Sequence, residues 1–280
     1  MRIISTKKII QEIKKLCIES NCIIRSDLYK SLASALKKET SKLGKETLKI
    51  LLENSRIARQ EMIPLCQDTG IACVFIQIGH DVRITGGNLC DAINRGISQG
   101  YRDGYLRKSV VKDPLRRCNT NDNTPAVIYT EIVPGKNIKI WLIPKGAGAE
   151  NMSRIKIFKP TASFDDIENF VVETVKIAGE NACPPLVIGV GIGGTFDYAC
   201  FLAKKALLRK IGERNKDPYY AKLEKRLLTK VNKTGIGPLG FGGRITALDV
   251  FIEFYPCHIG SLPVAVNLNC HSFRTRFAKL

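Results

Sequence analysis

A change in the hydrophobic pattern close to residue 60 constrains the fold of this chain more than any other feature. Before it, isoleucines and leucines recur at helical spacing, as in KKIIQEIKKL. After it come short β-rich runs, separated by Gly, Pro and Asn clusters and by helical stretches. The runs are IACVFIQI, AVIYTEIV, IKIWLI, PLVIGV, ITALDVFIEFY and LPVAVNL. The pattern predicts an α/β fold in which a helical N-terminal segment at 1–60 is followed by a mixed α/β body at 61–280. A chain of 280 residues is long enough for one large domain or two modest ones.

The apolar runs are too short for a membrane protein and the cysteines are too dispersed for a local metal motif. A membrane-spanning helix needs about 20 apolar residues, and the N-terminus MRIISTKKIIQEIKK intersperses lysines where an export signal is apolar. We therefore expect a cytoplasmic protein with no membrane association. Its ten cysteines should then be reduced thiols. Because none forms a CxxC pair, any metal site must be assembled from distant segments.

The net charge of +18 raises the alternative of a basic nucleic-acid-binding protein. The lysines are scattered along amphipathic stretches such as KKALLRK and AKLEKRLLTK, and aromatic residues make up only 7% of the chain, which leaves little to stack on bases. A lysine-rich solvated surface explains most of the charge, and nucleic acid is not an expected partner. The remaining positive field would steer a dianionic substrate or an acidic partner subunit toward the chain.

The first segment with chemical content is PLCQDTGIACVFIQIG. Cys66, Gln67 and Asp68 lie there in a polar turn immediately before a predicted strand. A thiol, an amide and a carboxylate side by side suit a metal site. The same residues also fit an Asp-Thr-Gly turn next to a buried cysteine. Local chemistry leaves both interpretations open.

The second segment is ENACPPLVIGVGIGG, in which two prolines follow Cys183 and should hold it in an extended conformation. Gly189, Gly191 and Gly194 match G-x-G-x-x-G between a predicted strand and a predicted helix. That context is typical of a dinucleotide site, so a nucleotide-binding oxidoreductase is a further alternative. The same loop also suits a substrate carboxylate, bound by backbone N–H groups at the helix N-terminus.

The third segment, PCHIGSLPVAVNLNCHSFR, contains Cys257, His258, Cys270 and His271. Neighbouring side chains on a strand point to opposite faces, so Cys257 and His258 do not readily bind one ion. Of the two histidines, His258 is the candidate for a functional role, because it follows Pro256 and Cys257, where the predicted strand is interrupted. His271 fits a hydrogen-bonded core residue equally well.

Two further stretches contain candidate groups for a carboxylate ligand. Gly146 and Gly148 lie in PKGAGAENMS, a loop rich in backbone donors after a predicted strand. Arg107 lies in GYLRKSVV, and a guanidinium binds carboxylates through paired hydrogen bonds. A lone arginine also fits a surface ion pair.

Together these segments resemble the class I, iron-sulfur fumarate hydratase and L-tartrate dehydratase family, specifically its alpha subunit or the N-terminal portion of its single-chain members. The resemblance extends from about Arg56 to Cys270, and it implies a single alpha domain over 1–280. It runs in the family's order through the blocks PLCQDTG, NTPAVIYTEIVPG, PKGAGAENMS, CPPLVIGVGIGG, GPLGFGG and NLNCHS. Five or six such blocks in one order identify the family much more specifically than any single block does.

The resemblance implies that Cys66, Cys183 and Cys270 hold a [4Fe-4S] cluster. One iron would then lack a protein thiolate, and it would act as a Lewis acid toward the substrate. The other seven cysteines need no ligand role.

The resemblance also assigns roles to six more residues. Asp68 is the expected proton donor, and His258 is the second expected catalytic residue. The expected substrate-binding residues are Gln67, Arg107, Gly146 and Gly148.

The implied activity is the reversible hydration and dehydration of a small dicarboxylate, with fumarate and malate ahead of tartrate. Single-chain members continue with a second domain that supplies the catalytic base, whereas this chain ends at Leu280, soon after the third cysteine. We therefore expect a beta subunit of the same hydro-lyase as a partner, and we allow for pairing of alpha chains as well.

Overall fold

The computed structural model of the protein describes all 280 residues, as eight α-helices and ten β-strands. The predicted α/β fold with N-terminal helices is confirmed. No helix has both the length and the apolar character that a bilayer crossing requires. The helices are α1 Thr6–Cys22, α2 Ser26–Lys38, α3 Lys42–Glu61, α4 Leu89–Asp103, α5 Ala147–Asn151, α6 Phe164–Ala178, α7 Phe196–Ala206 and α8 Pro218–Asn232.

All six β-rich runs of the sequence form strands, and four shorter strands accompany them. The four additional strands are only four or five residues long and each contains one or two charged residues, so their sequences indicate a strand only weakly. The strands are β1 Arg2–Ser5, β2 Ile71–Gly79, β3 Val82–Thr85, β4 Val127–Val133, β5 Ile138–Lys145, β6 Arg154–Phe158, β7 Leu186–Gly193, β8 Ala247–Tyr255, β9 Leu262–Asn269 and β10 Arg276–Lys279.

The chain divides into two compact units, and helix α3 contributes residues to both. We call them the first and the second unit. A unit defined by its internal contacts differs from a domain of a protein family, so the single domain expected over 1–280 stays a prediction. The first unit comprises Met1–Arg25, Asn54–Ala147 and Arg274–Leu280, and the second comprises Ser26–Glu53 and Gly148–Phe273.

The first unit contains a four-stranded sheet in the order β10-β5-β2-β4, together with a short parallel pair, β1 and β3. The central strand β2 runs parallel to β4 and antiparallel to β5, and β10 pairs antiparallel with β5. The buried face of α1 contributes Ile9, Ile13 and Leu16 to a core shared with α4 and with β2 and β5. The helical periodicity of the N-terminal sequence therefore corresponds to a buried stripe.

The second unit repeats this strand pattern in the order β6-β9-β7-β8. Its central strand β7 is buried along its whole length, runs parallel to β8 and antiparallel to β9, and β6 pairs antiparallel with β9. Antiparallel pairing places the start of one strand beside the end of its partner. Accordingly, Ile71 of β2 pairs with Lys145 of β5, and Val187 of β7 pairs with Asn269 of β9. In each unit, the loop before the central strand therefore lies near the end of the antiparallel strand.

The glycine-rich stretch at 234–243 is held by a carboxylate of the chain itself. Glu39 is 2% exposed and accepts hydrogen bonds from four backbone N–H groups, two in the residues that follow it and two in Arg244 and Ile245. Burial by itself would raise the pKa of Glu39, but the N–H groups of Arg244, Ser41, Ile245 and Thr40 hold it below its ordinary value.

Candidate functional site

The residues expected from the sequence to form the site fall into two sets, one in each unit, and each set is described by itself. The first set lies on the loops at the start of β2 and the end of β5 and on the segment after α4. The second lies on the loops around β7, β8 and β9 and, for Gly148, in the short helix α5. The first unit contains Cys66, Gln67, Asp68, Arg107 and Gly146, and the second contains Gly148, Cys183, His258 and Cys270.

The turn before β2 fixes the carboxylate of Asp68 by two backbone hydrogen bonds. Its Oδ1 accepts from the N–H of Gly70 at 3.0 Å, and its Oδ2 accepts from the N–H of Ala147 at 2.8 Å. The N–H of Asp68 in turn donates to Sγ of Cys66 at 3.4 Å. A thiol and a carboxylate thus share one turn, and the carboxylate is hydrogen-bonded to the backbone of Ala147, just after β5.

Buried polar side chains support this turn from the interior of the first unit. The hydroxyl of Tyr101 lies 2.7 Å from the carbonyl oxygen of Thr69 and 2.9 Å from that of Gly70. The side chain of Asn123 donates to the same Gly70 oxygen at 3.1 Å and accepts from the N–H of Ser109. Burial raises the pKa of the Tyr101 hydroxyl, so it remains a donor throughout the physiological range. The turn is rigidly supported.

The backbone of Arg107 is attached to this same turn. Its carbonyl oxygen accepts from Oγ1 of Thr69 at 2.9 Å, while the residue as a whole is exposed. The structure therefore brings the backbone of Arg107 next to the Cys66–Gly70 turn, although Thr69 and Arg107 are 38 positions apart in the sequence. An anchored backbone with an exposed guanidinium is the arrangement that a carboxylate clamp needs.

A residue that the sequence analysis did not select, Arg274, lies behind Asp68. It is 4% exposed, and its Nη1 donates to the carbonyl oxygen of Asp68 at 2.6 Å and to Oδ1 of Asn21 at 2.8 Å. A Cβ built on Gly146 would lie 3.1 Å from Oδ2 of Asp68 and 3.3 Å from Nη2 of Arg274. No local signal identifies this arginine, because it follows the NLNCHS block and its partners are distant in sequence.

In the second unit, Cys183 adopts a left-handed conformation, with φ of 52° and ψ of 65°, and the extended conformation expected before proline is wrong. The residue ends a short 3₁₀ turn at Gly179–Ala182, and its N–H donates to the carbonyl oxygen of Glu180. That turn reverses the chain just before Pro184, which outweighs the local preference of a residue before proline. The side chain of Cys183 is exposed at this reversal.

The loops that carry Cys183 and Cys270 are joined directly. The N–H of His271 donates to the carbonyl oxygen of Cys183 at 3.1 Å, and Nδ1 of His271 lies 3.2 Å from the same oxygen. Cys270 is partly exposed, and its Sγ lies 3.0 Å from Oγ of Ser272. Because β7 and β9 pair antiparallel, the residue before the first strand and the residue after the second are neighbours.

His258 lies in the exposed loop between β8 and β9. Its Nδ1 accepts from the N–H of Gly260 at 3.0 Å, which places the proton of the neutral ring on Nε2. Gly148 lies next to the turn before Cys183, since a Cβ built on it would be 2.9 Å from the carbonyl oxygen of Asn181. The backbone at Gly148 therefore approaches the cysteine loop closely, as only glycine permits.

The cysteines differ in their suitability as metal ligands, and none of the ten forms a disulfide. Cys66 and Cys270 are partly exposed and Cys183 is exposed, whereas burial raises the pKa of the thiols of Cys17 and Cys22 and so disfavours the thiolate form. No three His, Cys, Asp or Glu side chains form a group that holds a single metal ion. A cube of four irons takes one thiolate per iron, so its ligands need not meet around one atom.

The glycine pattern of the second segment serves helix packing. Gly189 and Gly191 lie inside the buried strand β7, and a Cβ on them would come within 2.0 Å of the carbonyl oxygen of Ala203 and 2.1 Å of that of Ala199. These contacts bring α7 against the sheet. Only Gly194 lies in the turn between strand and helix. This geometry does not favour the dinucleotide site that was considered as an alternative.

Comparison with known proteins gives consistent matches over nearly the whole chain. The family described as fumarate hydratase (Fumerase) matches residues 10–279. A protein of Methanocaldococcus jannaschii, provisionally named L(+)-tartrate dehydratase subunit alpha, is 44% identical over 279 residues, which cover 98% of both chains. The L(+)-tartrate dehydratase subunit alpha of Escherichia coli (strain K12) is 32% identical over 252 residues, 89% of this chain and 82% of the relative. The protein of that name from Shigella sonnei matches to the same extent.

Proposed function

Because the chain belongs to the class I, iron-sulfur fumarate hydratase family of hydro-lyases, we propose that it is the alpha subunit of a [4Fe-4S]-dependent enzyme that reversibly hydrates and dehydrates a small dicarboxylate. Two candidate substrate pairs are supported. The family's description favours fumarate and malate, and the names of the relatives favour tartrate. The alternative of a nucleic-acid-binding protein is not favoured.

In this proposal the ligands of the cluster are Cys66, Cys183 and Cys270. The observation that carries it is the hydrogen bond from the N–H of His271 to the carbonyl oxygen of Cys183, which joins the loops of two of these cysteines. Cys66 begins the corresponding loop before the central strand of the first unit. When bound, the cluster supplies an iron with an open position, which acts as a Lewis acid toward oxygen atoms of the substrate.

Asp68 is the proposed proton donor for the departing hydroxyl. Hydroxide is a poor leaving group, so it departs as water once a positioned acid has protonated it. The two backbone N–H groups that hold the carboxylate fix its orientation. In the hydration direction the same group takes the proton from the attacking water. His258, whose Nε2 carries the proton of the neutral ring, is the second proposed catalytic residue.

The remaining residues of the proposal bind and orient the dicarboxylate. Arg107 offers a guanidinium to one carboxylate, and Gln67 offers a side-chain amide. Gly146 and Gly148 contribute backbone N–H groups at points where a side chain would obstruct the approach. These groups bind and orient the substrate without taking part in proton transfer.

We further propose that a beta subunit completes the enzyme and supplies the base that removes the C–H proton. Support comes from the relatives, which are named as alpha subunits and match this chain over most of their length. A cytoplasmic location suits ten cysteines that form no disulfide, since that compartment keeps thiols reduced. Pairing of alpha chains stays a prediction.

Anaerobic coexpression of this chain with its beta subunit tests the proposal. The complex should be brown, with iron and sulfide in equal amounts, and it should interconvert at least one pair in a panel of fumarate, malate, tartrate and related diacids. The chain purified alone should bind the cluster but show little turnover. A colourless complex that leaves every diacid unchanged would refute the proposed function, and full turnover by the isolated chain would refute the role of the beta subunit.

A further inference from the structure

A group of aromatic side chains at the end of β8, in the second unit, has no role in the proposed mechanism. On one face of the strand, Phe254 stacks on Tyr220 of α8 with ring centroids 4.0 Å apart, and Tyr219 contacts Tyr220 edge-on. On the other face, Tyr255 contacts Tyr198 of α7, with ring centroids 4.7 Å apart. We call these five residues the aromatic patch. Tyr219, Phe254 and Tyr255 are 61%, 42% and 53% exposed.

The size of the aromatic patch is that of an interface centre. A contiguous apolar surface that stays exposed on a folded protein marks an interaction site, and aromatic residues are enriched at the centres of protein interfaces. An aromatic side chain that is completely covered buries about 150–250 Å², so covering the exposed fractions of the three rings would remove roughly 300 Å² from water. One side of a standard interface buries about 800 Å². The aromatic patch therefore suits the middle of a larger contact.

The outer edge of β8 is open at the aromatic patch. β8 is the last strand in the order β6-β9-β7-β8, so one of its edges has no neighbouring strand. Side chains of the chain itself cover this edge at Ile252, whose N–H donates to Glu224 and whose carbonyl oxygen accepts from Arg209. Backbone groups two residues apart on a strand point to the same edge, so those of Phe254 do as well. They have no partner within the chain and are available to the backbone of another protein.

The aromatic patch adjoins the proposed catalytic histidine. Tyr255 ends β8, and His258 follows three residues later, which is at most about 11 Å of chain. The loop also lies close to α8, because burial and, to a smaller extent, Cys257 raise the pKa of the Tyr220 hydroxyl. Ile259, next to the histidine, is 91% exposed and extends the apolar surface.

We propose that the beta subunit of the enzyme docks on the aromatic patch, with apolar side chains packed over Tyr219, Phe254 and Tyr255. The inference rests on the proposed function, in which the beta subunit supplies the base. That base has to come within hydrogen-bond reach of a substrate that also contacts His258. The beta subunit therefore covers the alpha-chain surface beside His258, and the aromatic patch is the exposed apolar surface at that place.

Two other occupants fit an exposed set of rings. One is a second copy of the alpha chain, and the other is a single-stranded nucleic acid whose bases stack on the rings. The open backbone groups of Phe254 favour a protein, because a strand of a partner pairs with them and a base does not. The nearby His258 favours the beta subunit over a second alpha chain. The occupants differ in which binding is lost when the rings are removed.

The experiment measures the dissociation constant between the alpha chain and its beta subunit under anaerobic conditions, for the wild type, Tyr219→Ala and Phe254→Ala. Each replacement should weaken binding by about 5- to 30-fold, the range for truncations at the centre of an interface. Iron content should not change. At saturating beta subunit, kcat should return to the wild-type value, because neither ring belongs to the proposed site.

Ile157→Ala is the matched control. Ile157 is 49% exposed on β6, at the opposite edge of the same sheet, so this variant should keep the wild-type affinity. Wild-type affinity in both patch variants, or equal weakening in the control, would overturn the inference and leave the proposed function intact. So would variants that keep their affinity for the beta subunit and lose alpha–alpha pairing or the binding of a single-stranded oligonucleotide. If one patch variant fails to fold, the other decides alone. A wild-type complex with neither a cluster nor turnover of any diacid would refute the proposed function itself.

Discussion

At the scale of single residues, exposure separates the three proposed ligand cysteines from three of the other seven. Cys17, Cys22 and Cys73 are buried core residues, where a thiol acts as a small apolar group. Cys66, Cys183 and Cys270 are partly or fully exposed, on loops next to β2, β7 and β9. Exposure alone is not sufficient, because Cys90, Cys118, Cys200 and Cys257 are exposed as well. The three proposed ligands are therefore selected by the motif blocks that contain them, and their exposure is consistent with that choice.

Replacing any one of the three cysteines should abolish cluster binding. Cys66→Ala, Cys183→Ala and Cys270→Ala each remove a thiolate that the cluster requires, so iron content and visible absorption of the anaerobic complex should fall to background. Cys90→Ala removes an exposed thiol on α4 and is the control, which should keep both. Retention of the cluster in a loop-cysteine variant would exclude that residue as a ligand.

Replacing the proposed proton donor should reduce turnover while the cluster is kept. Asp68→Asn keeps the shape of the side chain but removes the acidic proton, so kcat should fall by about 10²- to 10⁴-fold. Asp113→Asn is a matched control, because Asp113 also accepts two backbone N–H groups, from Leu115 and Arg116, in an exposed turn of the same unit. Steady-state assays paired with iron analysis check both variants. An unchanged kcat in Asp68→Asn would show that another group is the acid.

At the scale of elements, buried carboxylates and glycines decide how loops and helices attach to the sheets. The end of the glycine-rich stretch at 234–243 packs against Glu39 of the same chain, which accepts from the N–H groups of the two residues that follow the stretch. In the same way, Gly189 and Gly191 permit the contact of α7 with β7. Both groups of glycines therefore have structural roles that a motif search assigns to ligand binding.

The Glu39 carboxylate should contribute stability that is lost in acid. Its pKa is lowered in the folded state, so in acid the unfolded state binds more protons than the folded state. The contribution is complete above the ordinary value of 4.5 and disappears as the pH falls through the lowered folded-state pKa. Glu39→Gln should cost about 2–3 kcal/mol near neutral pH and flatten this part of the acid profile, as measured by urea unfolding. Glu61→Gln, an exposed change at the end of α3, should show neither effect.

A methyl group at Gly191 should destabilise the second unit without affecting any nucleotide response. Gly191→Ala forces the new Cβ against the carbonyl oxygen of Ala199, so the free energy of unfolding should fall by about 1–3 kcal/mol or more. Added nicotinamide nucleotide should leave the Tm of the wild type unchanged, because these glycines lie inside a strand. A nucleotide-dependent rise in Tm that Gly191→Ala abolishes would restore the dinucleotide interpretation.

At the scale of the whole molecule, the net charge of +18 bears on substrate encounter. Lysines and arginines outnumber acidic residues by 44 to 26, and many lie on exposed helix surfaces. A positive field of this size attracts a dianion before it reaches the site.

Salt should therefore slow the capture of substrate by the complete enzyme more than it slows the chemical step. As the ionic strength rises from about 0.01 M to about 1 M, the screening length falls from about 30 Å to about 3 Å. The value of kcat/KM for a diacid should fall over that range, while kcat changes little. A half-amide substrate analogue should show a weaker dependence. Equal salt dependence for both ligands would contradict steering by the field.

The sequence by itself was sufficient for features that depend on neighbouring residues or on ordered motif blocks. Six strands and the N-terminal helices could be predicted, because the periodicity of apolar residues, two in a strand and 3.6 in a helix, is a local property of the sequence. Family membership was readable because several specific blocks occur in one order. The candidate site could be predicted in part for the same reason, since Cys66 and Asp68 are neighbours in the sequence and lie in one turn of the structure.

Only the tertiary structure decided which distant residues meet. Strand pairing brings the residues after β9 to Cys183, and it brings the end of β5 to Asp68. Arg274 reaches the Asp68 turn across 206 positions of the chain, and Glu39 reaches Arg244 across 205. Such contacts have no local periodicity and no motif spacing. They follow from which strands pair and in which direction, and this choice depends on the energy of the whole fold rather than on any segment alone.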